Sequence, residues 1–338
     1  MKIGVIGAGS WGTALADLLA RKGLNTTLWV YEPEVHAQIE AERENGVFLP
    51  GVKLSENLRS SSDLTCVASG KDLLVMVVPS HLVRDISGSM AGEVSPETLI
   101  VSASKGIENK THLTMSAVLR ETLAHVPARQ ITVLSGPSFA KEVARKVPTL
   151  VTVAGEDLET AGRIQHIFAT AYFRVYTNND MIGVELGGAV KNVIAIASGI
   201  VDGLGLGLNT RAALITRGLS EISRLGMKMG ANPHTFAGLA GVGDLMLTCT
   251  GDLSRNHTVG KQIGAGKTLS AILDEMRMVA EGVRTAKSVY NLSRKLGVEM
   301  PISHQVYHVL YENLSPAEAV HRLMTRDLRH ELDDYGIV

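Results

Sequence analysis

Apolar positions in the first half of the chain come in short blocks, separated by stretches of helical period. Lys2-Ile3-Gly4-Val5-Ile6 reads as a strand, and Thr13 to Lys22 reads as a helix that stops at Gly23. Thr26 to Tyr31 is rich in β-branched and aromatic residues and breaks at Glu32-Pro33. Leu73 to Val78 is apolar throughout, the pattern of a strand buried on both faces of a parallel sheet. Further strands are predicted at Leu99–Ser102, Ile131–Leu134, Leu150–Val153 and Phe173–Tyr176, with a helix over Thr111–Ala124. Such alternation predicts an α/β, doubly wound domain.

Beyond the polar cluster Thr177-Asn178-Asn179-Asp180 the strand signals fade. Helical patterns cover Met181–Val201, Arg211–Leu225, Leu269–Met278, Val283–Lys295 and Pro316–Leu323. The expected organisation is therefore a Rossmann-type domain over residues 1–178, followed by an all-α domain over 179–338.

Composition narrows the field. Of 338 residues, 33 are Lys or Arg and 34 are Asp or Glu, so the chain lacks the basic excess of a nucleic-acid binder. Two cysteines exclude a disulfide scaffold or a four-thiolate zinc site and suit a reducing compartment, so a cytoplasmic protein is expected. The apolar N-terminal run is broken by Gly4, Gly7, Gly9 and Gly12, unlike a signal peptide. Met181–Val201 is long enough to span a bilayer but carries Glu185, Lys191 and Asn192. A central Lys costs about 2.5–3.5 kcal/mol on insertion scales, so no membrane span is expected.

Gly7-Ala8-Gly9-Ser10-Trp11-Gly12 is G-x-G-x-x-G placed after a predicted strand and at the opening of a helix, the context the dinucleotide fingerprint requires. The first Gly makes the turn, the second admits a pyrophosphate and the third lets helix and strand pack closely. An acid near the end of the second strand would bind a ribose 2′-hydroxyl, and an Arg a 2′-phosphate. Glu32 stands one residue beyond the expected strand end, next to Pro33, and the choice between NAD and NADP stays open.

In the Met181–Val201 helix, Glu185 and Lys191 are the charged residues among many glycines and alanines. Burial lowers a Lys pKa by up to about 3–5 units, toward the range of a general acid or base. Snorkelling of Lys191 to the surface is the alternative reading. Ser135-Gly136-Pro137-Ser138 and Ser104-Lys105-Gly106 follow predicted strands, where ligands of open α/β sheets bind. Gly241-Val242-Gly243-Asp244 and Ser254-Arg255-Asn256 place an acid, a guanidinium and an amide in glycine-broken segments. Three other features are set aside. Gly266-Lys267-Thr268 lacks the upstream Gly of a P-loop, His304 and His308 lack the intervening Glu of a metalloprotease, and Cys249 lacks an activating base. No metal is expected.

With these motifs assembled, the chain resembles the bacterial NAD(P)-dependent glycerol-3-phosphate dehydrogenase family from Ile3 to about Asp327. The stretches that carry the resemblance include Gly7 to Leu15, Ser135 to Ala140, Gly183 to Val193, Asp202 to Gly205, Ala212 to Gly218, Gly238 to Leu245, Ser254 to Asn256 and Val279 to Gly282. It implies interconversion of dihydroxyacetone phosphate and sn-glycerol 3-phosphate with NAD or NADP, supplying phospholipid synthesis, by a homodimer.

The resemblance implies that Lys191 exchanges the proton at the carbonyl oxygen. It places Lys105, Gly136, Ser138, Asp244, Ser254, Arg255 and Asn256 around the substrate, with Thr248 as a further contact. It places Ser10, Trp11, Tyr31, Lys105, Ala140, Arg255, Val279 and Glu281 at the cofactor, beside Gly7, Gly9 and Gly12. Tyr31 departs from the family pattern, in which many members carry His or Arg. Lys146-Val147-Pro148-Thr149, Gly251 and His257 are lesser departures. The rival readings are a hydroxy-acid reductase of related architecture, which needs no substrate phosphate, and a nucleotide-sensing protein without catalysis.

Overall fold

The computed structural model describes residues 1–276, 280–328 and 330–331, which form two compact units. The first comprises Met1–Lys105 and Leu113–Met181, and the second Gly106–His112 and Ile182 onward.

The first unit is built on one eight-stranded sheet: β1 (Lys2–Ile6), β2 (Asn25–Trp29), β3 (Leu58–Ser61), β4 (Leu73–Met76), β5 (Leu99–Ser102), β6 (Ile131–Ser135), β7 (Thr149–Gly155) and β8 (Phe173–Asn178). Their order is β3-β2-β1-β4-β5-β6-β7-β8. All neighbours run parallel except the β6–β7 pair. The order reverses between β1 and β4, so right-handed crossovers send the helices to opposite faces and open a crevice at the carboxyl ends of these strands. β4, β5 and β6 are buried along their whole length; β4 is apolar throughout, while β5 and β6 also bury Ser102, Thr132 and Ser135. β3, absent from the sequence reading, is the edge strand Leu-Arg-Ser-Ser, in which Leu58 is the buried residue. It holds its place through parallel pairing with β2, from Thr26↔Leu58 to Trp29↔Ser61.

The second unit is helical, around a core that includes Leu186, Val190, Ile194, Ile222, Phe236, Leu245, Val259 and Val289. Its central element is the 23-residue helix Met181–Gly203. By length and composition this helix could cross a bilayer, and its most apolar stretch is wholly buried within the fold. Two segments read as glycine-broken are in fact helical. Asp244 opens a helix, Asp244–Thr250, that follows a π-helical turn at Leu239–Gly243, and Arg255 opens the helix Arg255–Gly264. Glycines let the Arg255–Gly264 helix touch the Met181–Gly203 helix: a Cβ on Gly260 would lie 2.0 Å from the Ile196 carbonyl oxygen, and one on Gly199 2.1 Å from that of His257. The segment Gly106–His112 joins this unit, where the Ile107 carbonyl accepts the Ser288 hydroxyl at 2.8 Å.

Candidate functional site

The first unit presents the glycine-rich turn between β1 and the helix Ser10–Arg21. Gly7 has φ +116°, a conformation that side-chain-bearing residues rarely adopt. A Cβ on Gly12 would lie 1.9 Å from the Gly7 carbonyl oxygen. Gly9 is different: it caps the helix with φ −63° and ψ 176°, which any residue adopts, and a Cβ there meets no atom within 4 Å. The protein's own packing therefore makes no demand for glycine at position 9. A glycine there instead leaves room for an external group above the helix N-terminus, whose dipole favours an anion. The turn is braced by Asn45, whose amide nitrogen donates to the Ala8 carbonyl at 2.8 Å and to Thr13 Oγ1 at 2.9 Å. Ser10 donates to the Phe48 carbonyl at 2.6 Å, and the Trp11 ring centroid lies 6.4 Å from that of Phe173.

Other residues of the same unit follow the carboxyl ends of strands. Gly136, after β6, has φ +144°, and its carbonyl accepts Lys105 Nζ at 3.2 Å and the Ser138 hydroxyl at 3.1 Å. Ala140 begins the short helix Ala140–Ala144. Tyr31, beyond β2, is 74% exposed, with its ring 5.9 Å from that of Trp29.

In the second unit Lys191 is buried at 6% exposure. Its ammonium donates to Asp244 Oδ1 and, at 2.7 Å, to Thr248 Oγ1. An isolated buried charge would be prohibitive, and the Asp244 carboxylate, itself 1% exposed, supplies the countercharge. Thr248 in turn donates to the Asp244 backbone carbonyl at 2.6 Å, one helical turn earlier. Lys191 is thus held inside the fold, contrary to the snorkelling alternative.

Next to Lys191, Asn192 accepts from Asn256 Nδ2 at 2.9 Å, while Asn256 Oδ1 accepts the Gly282 N–H at 2.9 Å. Ser254 caps its helix by accepting the His257 N–H at 3.2 Å. Arg255 reaches solvent from the first helical turn. Desolvation by its surroundings pulls its pKa below the ordinary value, and the Glu281 carboxylate partly offsets this.

Models for the N-terminus and C-terminus of NAD-dependent glycerol-3-phosphate dehydrogenase match residues 2–161 and 180–321. The chain belongs to this family. It is 58% identical over 333 residues to a glycerol-3-phosphate dehydrogenase (NAD(P)+) of Syntrophobacter fumaroxidans, covering 98% of this chain and 97% of the relative. It is 60% identical over 330 residues to the enzyme of that name from Citrifermentans bemidjiense, covering 98% of each. Among solved structures, glycerol-3-phosphate dehydrogenase from Coxiella burnetii matches with a TM-score of 0.92 at 41% identity, over 96% of this chain and 99% of that one.

For this glycerol-3-phosphate dehydrogenase family member, two gatherings of the expected site residues emerge. Lys191, Asp244 and Thr248 form one hydrogen-bonded group, and Lys105, Gly136 and Ser138 form another. Asn256, expected at the substrate, has its carbonyl oxygen and one amide N–H engaged inside the protein. Glu281 begins the helix Glu281–Leu296, and Val279 lies outside the described residues.

Nothing in the sequence points to Asn45, and Asp202 stands in a stretch that carries the resemblance without a role assigned to it. Asn45 sits in a loop without a motif, and its role exists only where the chain returns to the glycine turn. Asp202 Oδ2 joins His257 Nε2 at 2.9 Å and Arg211 Nη1 at 2.8 Å, tying three helices together near Arg255. Cys249 is buried, and desolvation pushes its thiol up to about 12, far from a nucleophile at neutral pH.

Proposed function

We propose that the chain interconverts dihydroxyacetone phosphate and sn-glycerol 3-phosphate with NAD or NADP, and that the buried Lys191–Asp244–Thr248 group performs the proton transfer. When bound, NAD(H) or NADP(H) would supply the hydride chemistry at the carbonyl carbon. Gly9 and the N-terminus of the Ser10–Arg21 helix receive the cofactor's pyrophosphate, with Gly7 and Gly12 setting the turn. Lys191 Nζ delivers a proton to the ketone oxygen as the alcohol forms and removes it in reverse. Asp244 and Thr248 hold the ammonium in one place, so little reorganisation accompanies the transfer. Arg255, charged and accessible, grips the substrate phosphate, for which its planar fork is suited. Asn256 and Asn192 fix the first turn of the helix that carries Arg255.

This reading assigns dinucleotide binding to residues 1–178 and substrate binding with catalysis to 179–338. It includes a homodimer in the cytoplasm that supplies the glycerol phosphate of phospholipids. The observation that carries it is the burial of Lys191 against Asp244 in a chain that also keeps Gly9 open. The test is oxidation of reduced nicotinamide with dihydroxyacetone phosphate and with unphosphorylated dihydroxyacetone. Turnover that depends on the phosphate is expected, and equal turnover of the two ketones contradicts the role of Arg255. A monomer mass in sedimentation contradicts the dimer.

A further inference from the structure

We propose that the carboxyl edge of β2 and β3 selects NAD(H) over NADP(H), an inference that rests on the cofactor reading above. The two strands stay paired to their ends: Val30 N donates to the Ser61 carbonyl at 2.9 Å, and Trp29 Nε1 to that of Ser62 at 3.1 Å. Tyr31 and Glu32 leave β2 at this edge, and Ser62 and Asp63 leave β3 there. Tyr31 offers an exposed ring and no charge. Glu32 opens the helix Pro33–Glu42 without spending its carboxylate on a capping bond. Asp63 caps the helix Leu64–Ala68, accepting the Thr65 N–H at 2.9 Å.

The edge therefore carries two carboxylates. The basic side chain nearest in sequence is Arg59, and its register opposite Thr27 sets it two residues back from the strand end. Arg43 is committed to the carbonyls of Ser55 and Leu58, the latter at 2.8 Å. A ribose 2′-hydroxyl needs an acceptor, which Glu32 provides. A 2′-phosphate brings about two negative charges and needs a cation. Here it meets like charges, so discrimination comes from repulsion as well as from attraction.

Equilibrium titration of intrinsic fluorescence with NADH and NADPH, in the absence of substrate, tests the proposal. NADH is expected to bind about tenfold or more tightly than NADPH. The double variant Tyr31→Arg, Glu32→Ser is expected to lose NADH affinity and gain NADPH affinity, narrowing or reversing that ratio. Equal or tighter NADPH binding by the wild type overturns the selectivity and leaves the cofactor reading standing, as does an unchanged ratio in the variant. If a folded wild-type protein binds neither dinucleotide, both the selectivity and the cofactor reading fail.

Discussion

Gly187 lies so close to Ala240 that a Cβ added to it would stand 2.3 Å from the Ala240 carbonyl oxygen. Gly187 is one helical turn before Lys191, and Ala240 is four residues before Asp244. The approach of these two backbones therefore sets the distance across which the ammonium and carboxylate meet. Gly241 sharpens the approach, because it sits in a non-helical conformation with its own Cβ position 2.1 Å from the Phe236 carbonyl oxygen.

Substitution Gly187→Val is thus expected to separate the pair without touching either residue. Overpacking of this kind costs about 1–3 kcal/mol. Turnover should fall at least about tenfold, since misplacement by an ångström costs up to about a hundredfold. Thermal unfolding together with steady-state turnover checks this, and wild-type turnover in the variant would contradict it.

The three glycines of the turn should separate into classes. Gly9→Ser places a favourable N-cap residue where the protein leaves open space, so the thermal midpoint is expected to hold while dinucleotide affinity falls about tenfold or more. Gly12→Ala drives a methyl into the Gly7 carbonyl, so the fold itself should weaken. Equal loss of stability in both variants would show that Gly9 serves internal packing.

Glu221 supplies a pH signature independent of catalysis. Its side chain, 1% exposed, accepts the Ile302 N–H at 2.5 Å, the Ser303 N–H at 3.0 Å and the Ser303 hydroxyl at 2.8 Å, capping the helix Pro301–Tyr311. Desolvation pushes its pKa up to about 7 from 4.5, against the pull of those three bonds and of Arg224. The folded state then holds a proton that the unfolded chain releases. This contribution to stability is fully present below about pH 4.5 and is lost as pH rises to about 7. Thermal midpoints of wild type and Glu221→Gln across this window should diverge, with the wild type losing ground as pH rises. Parallel curves would contradict the raised pKa.

The glycine turn, the apolar strands and Lys191 in its small-residue helix were legible because each writes its constraint into consecutive residues. β3 was not, since a polar edge strand has one buried face at most and owes its existence to the neighbour β2. The antiparallel β6–β7 pair was equally hidden, because strand direction depends on the route of the connection. Asp244 and Arg255 were legible as chemistry but not as helix residues. Their flanking glycines read as breaks, whereas in three dimensions glycines such as Gly199 and Gly260 let helices touch. Asn45, Asp202 and the inward-facing amide of Asn256 act on partners distant in the chain, and no local pattern reveals such bonds.

The central claim is that Lys191 transfers the proton. Its most direct test is the oxidation of NADH by dihydroxyacetone phosphate, compared between wild type and Lys191→Met, with NADH affinity measured on both proteins. Loss of general acid catalysis predicts turnover lower by about 10²–10⁴-fold, with NADH affinity retained. A folded Lys191→Met protein that binds NADH and turns over within a few-fold of wild type would contradict the assignment.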